Sequence, residues 1–168
     1  MSEATKFKKY TLDISNRFYN DEIILRLLHY KPKNRLDDPL DPSKNDILSK
    51  DEDEKWDIID AHIMTAPKIS DLEKKAMCRL FIYPGVRRPT DKNFLFANQQ
   101  FNFDVLTHSD FQNMDLRNEW ICERVNELVF GQRIAGLGQV LFKGGQPINA
   151  PKDYQGYRLV YEFASENY

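Results

Sequence analysis

The chain lacks any long hydrophobic run. None of its stretches reaches the roughly 18 consecutive apolar residues that a transmembrane helix requires, so we expect no membrane-spanning segment and no membrane partner. The first ten residues, MSEATKFKKY, also lack the apolar core of a secretory signal peptide. We therefore expect a protein that is made in the cytoplasm.

A strong excess of either charge is also missing. The formal net charge is −2 and the isoelectric point is near 5.9, whereas domains that bind nucleic acid in general are usually strongly basic. The hydrophobic fraction of 41% and the aromatic fraction of 12% suffice for a packed core. The 168 residues correspond to one domain with room for an N-terminal appendage.

Cysteine and histidine are scarce and widely spaced. Cys78 and Cys122 stand 44 positions apart without a CxxC pair, which excludes a zinc framework and favours two buried, reduced thiols. His29, His62 and His108 have no second histidine at a spacing of three to five residues. We therefore predict no metal site and no cofactor.

Local catalytic motifs are missing as well. His108, Ser109 and Asp110 are direct neighbours, and neighbouring side chains point in different directions, so a helix-capping loop is predicted instead of a catalytic triad. Gly136 and Gly138 follow a helix and precede a strand, which is the wrong order for a phosphate loop and predicts a tight turn. We expect a binding or structural protein, not an enzyme. A hydrolase site assembled from distant residues is the less favoured alternative.

Acidic residues are concentrated between residues 37 and 60. This segment holds ten acids against three lysines, a net charge of −7, and the rest of the chain carries +5. A cluster of four acids follows Ser49, a plausible N-cap, and would lie in the first turn of a short helix, where the helix dipole favours carboxylates. No glycine-centred calcium loop surrounds the cluster, so we predict a solvated helical turn. The cluster consists of Asp51, Glu52, Asp53 and Glu54.

The first third of the chain is predicted to be helical and irregular. Apolar spacing predicts one amphipathic helix over residues 12–30, with Asp13 or Ser15 as its N-cap and Pro32 beyond its end. The proline-rich segment 31–46 predicts a long irregular connection. The short helix that contains the acidic cluster follows.

Alternating apolar and polar residues begin after this helix. They predict two strands, at residues 76–83 and 94–106, joined as an antiparallel hairpin. A helix is predicted over residues 115–130, with Asp115 in its first turn and Gly131 just beyond its end.

A second hairpin is predicted at the C-terminal end, around a turn that contains Gly144, Gly145 and Pro147. Two hairpins with a helix between them predict an α+β fold. We expect a mostly antiparallel four-stranded sheet, packed by the central helix, with an N-terminal helical arm. The expected division is an arm over residues 1–75 and a sheet-and-helix domain over residues 76–168.

The tip of the first hairpin, residues 84–92, carries cations that a turn does not need. These are Arg87, Arg88 and Lys92, and they stand among two prolines and a glycine. A basic tip and an acidic arm on one chain favour electrostatic complementarity between neighbouring copies in an assembly. As an alternative, the tip would hold the phosphates of a nucleic acid without reading its bases.

Four phrases in sequence order carry a family resemblance. They are FNFDVLTH, LRNEWICERVNEL, IAGLGQVLF and YRLVYEFAS. With this order of elements, the block from residue 78 to residue 163 resembles the tail-terminator and neck proteins of tailed bacteriophages. ILRLLHYKP and DDPLDP, in the N-terminal part, are similar to phrases of neck-region proteins of large phages.

The resemblance implies a non-enzymatic virion component that assembles into a homo-oligomeric ring, most often six-fold, in the tail or neck. Such a ring caps the tail tube and contacts the tube protein and the head connector or completion protein, and DNA passes through its lumen without sequence specificity. Candidate interface or lumen residues are then Arg87, Arg88 and Lys92 at the tip and Asp51, Glu52, Asp53 and Glu54 in the acidic cluster.

Two alternatives stay open at this stage. The arm over residues 1–75 is longer than a minimal terminator needs, which is compatible with a head-side neck or connector-completion protein whose acidic arm clasps a neighbouring subunit. A small nucleic-acid-binding module that uses the basic tip, residues 84–92, is the alternative from a different class.

Overall fold

The sheet predicted for the second half of the chain is present. The computed structural model describes residues 3–166. The strands are β1 (Ile63–Met64), β2 (Cys78–Thr90), β3 (Asn93–His108), β4 (Leu137–Ile148) and β5 (Tyr154–Glu166). They lie in the order β1-β2-β3-β5-β4, with β1 parallel to β2 and the other neighbours antiparallel. The α+β class and both hairpins are confirmed, but the sheet is five-stranded and mixed, not four-stranded.

Helices precede and interrupt the strands. They are α1 (Glu3–Tyr19), α2 (Glu22–His29), α3 (Glu52–His62), α4 (Ser109–Asp115) and α5 (Arg117–Val129). The strand that the sequence did not predict, β1, begins directly at the end of α3. Its two residues are too few to show an alternating pattern. Within the part of the chain that the structure describes, no helix is long and apolar enough to cross a membrane.

One face of the sheet is apolar and carries the helices. Phe101 and Phe103 of β3 lie opposite Tyr161 and Leu159 of β5, and all four side chains are buried. Helix α5 packs across both strands, as predicted for the central helix. Burying a large apolar side chain stabilises a fold by about 1.5–3 kcal/mol, so this face accounts for much of the core.

The N-terminal helices pack in the same core. Ile14 and Phe18 of α1 and Leu27 and Leu28 of α2 are buried among the side chains of the sheet. The ring of Phe18 lies 5.5 Å, centroid to centroid, from that of Phe103. The helical part of the segment expected to form an arm therefore contributes side chains directly to the sheet's core.

The predicted helix over residues 12–30 is wrong as a single element. The chain forms α1 and α2 instead, and Asp21 starts the second helix because its carboxylate accepts a hydrogen bond from the Ile24 amide at 2.9 Å. Asp13 and Ser15, the predicted caps, lie inside α1. Because the apolar spacing continues from α1 into α2, the sequence pattern does not show that Asp21 ends one helix and begins the next.

The predicted helix over residues 115–130 also has a break near its start. Leu116 adopts the left-handed conformation (φ 55°) and separates α4 from α5, so Asp115 ends the first helix and does not cap the second. At the C-terminal end the prediction is confirmed. Helix α5 ends at Val129, Phe130 is its C-cap, and Gly131 follows with a left-handed φ of 72°.

The glycines expected in the last turn lie within strand β4. Gly144 has φ 145° at an irregularity in the pairing of β4 with β5, and the turn itself falls between Ile148 and Tyr154. Pro147 is accepted in this strand because β4 is at an edge of the sheet, where a missing N–H costs no ladder bond. The predicted turn at these residues is therefore wrong.

A buried arginine joins two of the helices. Arg117, at the start of α5, has no exposed surface. Its guanidinium donates to the carbonyls of Leu27 (2.6 Å) and Tyr30 (2.8 Å) at the end of α2, and to the Asp115 carboxylate at 2.7 Å. It also lies 5.2 Å from the ring centroid of Phe111. This contact fixes α2 against the junction of α4 and α5.

We predict that Arg117→Met lowers the free energy of unfolding by about 3–5 kcal/mol, because the Asp115 carboxylate and two helix-end carbonyls lose their buried partner. Urea unfolding followed by circular dichroism measures it. The matched control is Arg133→Met, an exposed arginine, with an expected change of about 0.5 kcal/mol or less. Equal stabilities of the two variants would contradict the role assigned to Arg117.

Candidate assembly surfaces

The proline-rich connection is held against α2 by two side chains of that helix. The Glu22 carboxylate accepts hydrogen bonds from the amides of Ile47 (2.6 Å) and Leu48 (2.9 Å). Arg26 is buried, pairs with the carboxylates of Glu22 and Asp46, and donates to two backbone carbonyls of the connection at 3.0 Å. The connection is irregular, as predicted, and it is packed onto the body of the same chain.

The acidic cluster lies in the first turn of α3, as predicted. Asp51 is the N-cap, because its carboxylate accepts from the Glu54 amide at 2.9 Å; Ser49, the predicted cap, lies two residues too early. Glu52 and Glu54 form ion pairs of 2.9 Å with lysines three and four positions away, and the lysine beside Glu52 holds its pKa below the usual value. A role for Asp51, Glu52, Asp53 and Glu54 at an interface stays a prediction.

The first hairpin extends beyond its neighbours, and one of its three cations holds it in place. The Arg87 guanidinium donates to the hydroxyl of Ser165 at 2.7 Å, to the side chain of Gln99 at 3.2 Å and to the carbonyl of Glu166 at 3.0 Å. Ser165 itself is buried. Arg87 therefore anchors the end of β5 to the hairpin. No sequence pattern predicts this contact, because Ser165 and Glu166 are almost 80 positions from Arg87.

The end of the hairpin combines exposed cations with exposed apolar side chains. We call this group the tip surface; it consists of Val86, Arg88, Lys92, Phe94 and Leu95. Phe94 is 80% exposed, which is unusual for a side chain of its size. Apolar exposure of this kind often marks a site of contact with another molecule.

The tip surface and the start of the proline-rich connection lie near opposite ends of β3. β5 ends opposite Phe96 of β3, so the tip surface lies beyond one end of the sheet. At the other end of β3, Lys31 pairs with Asp110 at 2.9 Å, which brings the connection to that end. Twelve residues of strand separate Phe96 from His108, a distance of about 40 Å at roughly 3.3 Å per residue. Most of the length of β3 therefore separates the tip surface from the start of the connection.

The three histidines have structural partners. His108 caps α4, because its Nδ1 accepts a hydrogen bond from the Asp110 amide at 3.0 Å, which confirms the predicted capping loop. The rings of His29 and His62 lie 5.6 Å apart, and His62 Nδ1 is 2.7 Å from the Cys78 carbonyl. The sequence did not show this pair, since the two rings come from different helices. Across residues 3–166, no group of three or more potential metal ligands occurs.

The outward face of the sheet carries a polar network that the sequence reasoning missed. Arg158 of β5 donates to the buried carboxylate of Asp104 of β3 at 2.7 Å and 3.0 Å, and the Tyr83 hydroxyl donates to the same carboxylate at 2.5 Å. Burial and the adjacent carboxylate raise the pKa of Tyr83. A cleft of about 530 Å³, partly lined by Phe81 and Leu106, adjoins the network. The alternation of side chains along β3 places Asp104 on this face, and this pattern is the sequence feature that could have identified it.

Both cysteines are free thiols, as predicted. Cys78 is buried and Cys122 is partly exposed, and burial raises the pKa of each thiol to about 12. Neither thiol is therefore a strong nucleophile at neutral pH.

Comparison with known proteins identifies a family for this architecture. The model of the YomW family matches residues 21–163, which is most of the chain. The chain belongs to the YomW family. Its similarity to the SPbeta prophage-derived protein YomW of Bacillus subtilis (strain 168) is 34% identity over 159 residues, covering 89% of this chain and 92% of the relative.

A solved structure shares the fold of this YomW-family chain. It is a chain from the virion of a native gene transfer agent particle, with a TM-score of 0.55 over 99% of this chain and 100% of that chain. The sequence identity is 14%, so the likeness is one of fold. The prophage-derived relative agrees with the phage resemblance in the sequence, whereas the specific tail-terminator or neck role stays a proposal.

We predict that acidification from pH 7 to pH 5 destabilises this YomW-family protein through His62. Burial lowers the pKa of His62 to about 4, from an ordinary value near 6.5. The unfolded chain therefore binds a proton in this range while the folded chain does not, so stability present above pH 6.5 is lost as pH falls toward 4. The expected loss from His62 is about 2 kcal/mol at pH 5.

Urea unfolding of the wild type and of His62→Gln at pH 7 and pH 5 measures this loss. We expect a smaller difference between the two pH values in His62→Gln, because the amide does not titrate. Identical pH dependence in the wild type and His62→Gln would show that His62 does not contribute.

Proposed function

We propose that the protein is a non-enzymatic structural component of a phage virion that forms a ring at the head–tail junction, where it terminates the tail tube and joins it to the head connector. The observation that carries this proposal is the fold likeness to a virion chain over the whole length of both chains. The family relationship to a prophage-derived protein supports it independently.

The distribution of surface features supports assembly from identical copies. A tip surface at one end and acidic segments elsewhere make the chain complementary to itself in a head-to-tail arrangement. Contacts of this heterologous kind close into a ring when the rotation between copies permits. In the proposed ring, six copies surround the path of the DNA, and tip cations face a neighbouring subunit or the passing phosphates without reading bases.

Two alternatives make different demands on the same residues. A head-side neck or connector-completion protein would use the same ring with a different partner, so binding to purified connector instead of tube protein distinguishes it. A nucleic-acid-binding module needs several phosphate contacts at the tip. Arg87 is already bonded to Ser165 and Glu166, which leaves Arg88 and Lys92 as its main cations and makes this alternative less favourable.

We predict that the purified protein forms a ring-sized oligomer, either alone at micromolar concentration or after addition of tail-tube protein. Size-exclusion chromatography with light scattering measures the mass, for which the ring proposal expects a multiple of 19.8 kDa, most simply six copies. A strict monomer under both conditions would overturn the proposed function.

Charge reversal at the tip tests the surface that the proposal uses. We predict that Arg88→Glu with Lys92→Glu raises the concentration needed for half-maximal assembly at least tenfold, because two attractive contacts become repulsive. The matched control is Lys68→Glu with Arg133→Glu, which changes the net charge equally at exposed positions elsewhere. Unchanged assembly in the tip variant, measured by light scattering, would remove the tip from the interface.

A further inference from the structure

We infer that the groove between α5 and the edge strand β4 receives the β2–β3 tip surface of a second copy of this chain. This inference rests on the proposed function, because it requires that copies assemble, and it names the surface that the tip contacts.

The groove has an apolar floor and an acidic rim. Cys122 of α5, Pro147 of β4 and Tyr157 of β5 line a space of about 570 Å³, bordered by Glu119 and Glu123. The two glutamates stand one helical turn apart on the exposed side of α5. Burial, with the two glutamates adding to it, raises the pKa of the Cys122 thiol to about 12, which agrees with carboxylates close to the floor.

A glycine of β4 lets the Tyr157 ring, which lines the groove, lie directly against the strand. A methyl group added at Gly145 would lie 2.8 Å from Cε1 of Tyr157, so the tyrosine ring rests directly against the strand's backbone. Any side chain at this position would push the ring away from β4. The groove wall therefore depends on a residue without a Cβ.

The strand beside the groove is an open and partly apolar edge. Within residues 3–166 the sheet ends at β4. Val140 of this strand exchanges backbone hydrogen bonds with Gly131 and Gln132, and beyond Val140 no strand pairs with the outer side of β4, which leaves that part of the edge to a partner. Leu141 and Phe142 of β4 are about half exposed, and the Phe142 ring lies 5.4 Å from that of Tyr161. An edge of this kind promotes pairing with another chain unless something covers it.

The tip surface matches the groove in charge and in polarity. Phe94 is 80% exposed and supplies an apolar side chain for the apolar floor. Arg88 and Lys92 supply two cations for the two glutamates of the rim, and Asp91 is the one acid in the turn between the strands. Apolar contact at the centre with ion pairs at the rim is the usual anatomy of a protein–protein interface.

The tip surface of a chain cannot reach the groove of the same chain. Gly156, at the groove, pairs with Leu106 near the far end of β3, whereas the tip lies beyond Phe96. The separation along β3 from Phe94 to Leu106 is about 40 Å at roughly 3.3 Å per residue. The contact therefore joins two copies, and it leaves one free tip and one free groove for the next copies in line.

Site-specific cross-linking tests the contact. Asp91→Cys at the tip and Gln155→Cys at the groove are introduced together with Cys122→Ser, which replaces one sulfur atom of the groove floor by oxygen. The four charged anchors of the contact, Arg88, Lys92, Glu119 and Glu123, are kept. Cys78 is buried with its thiol pKa raised to about 12, so it does not react. With a short flexible bismaleimide, we expect covalent dimers, trimers and larger species on a denaturing gel. Each single-cysteine variant should stop at dimers or below.

The matched control replaces the tip cysteine by Leu36→Cys, in the connection, where the side chain is 94% exposed. Collisions between highly exposed cysteines would cross-link this pair as well, whereas the inferred contact would not. An equal ladder from the control, or no ladder from the tip pair in a sample that light scattering shows to be assembled, overturns the inference and leaves the proposed function standing.

Charge exchange provides a second test. Glu119→Lys with Glu123→Lys should raise the concentration for half-maximal assembly at least tenfold, like the reversal of Arg88 and Lys92, and combining all four changes should restore assembly to within about threefold of the wild type. Urea unfolding of each variant verifies that the fold is kept. Direct pairing is contradicted if both double variants assemble poorly and the combined variant, although folded, assembles no better than they do. A protein that is monomeric throughout overturns both this inference and the proposed function.

Discussion

The buried guanidinium of Arg117 fixes how the helices lie on the sheet. Taking such a charge out of water costs several kcal/mol, so its acceptors, two carbonyls at the end of α2 and the Asp115 carboxylate, must stay in place around it. Helix α5 then cannot slide relative to α2. Because α5 forms one wall of the groove and α2 holds the connection through Glu22 and Arg26, the placement of both surfaces depends on this contact. The ion pair of Arg124 in α5 with Asp21, the N-cap of α2, acts in the same direction at 2.6 Å.

Charges in the sequence are an incomplete guide to charges available for binding. Three of the four acids at the start of α3 cap the helix or pair with a nearby lysine, and Arg87 holds the end of β5. At physiological ionic strength, exposed charges more than about 8 Å apart are largely screened, so only charges that meet at contact distance contribute to docking. Small local sets such as Arg88 with Lys92, and Glu119 with Glu123, are therefore more informative than the net charge of a segment.

The sequence predicted the elements whose signal is local and periodic. Alternation in β3 and β5 and the apolar stripe of α5 identified the sheet and its central helix, because burial of one face imposes the period directly. The prediction of helix boundaries failed where a single residue interrupts a continuous apolar pattern. Asp21 begins a new helix, and Leu116 separates two helices. Of the candidate site, the cations of the tip were visible, but the bond from Arg87 to Ser165 and the groove were not. These depend on which strands become neighbours, and no local pattern encodes that.

The bend in the first hairpin sets the direction in which the tip surface points in the proposed assembly. Pairing of β2 with β3 is irregular between Pro84 and Arg87, and such irregularities bend a strand and increase its twist. A methyl group added at Gly85 would lie 3.1 Å from the Asn102 side chain, so this side chain packs directly on the backbone of the bend. Since Arg87 anchors the segment just beyond the bend, the direction of the tip is set by the chain itself. In a head-to-tail contact between tip and groove, that direction determines the rotation from one copy to the next, and the rotation determines whether the copies close into a ring or continue as a filament.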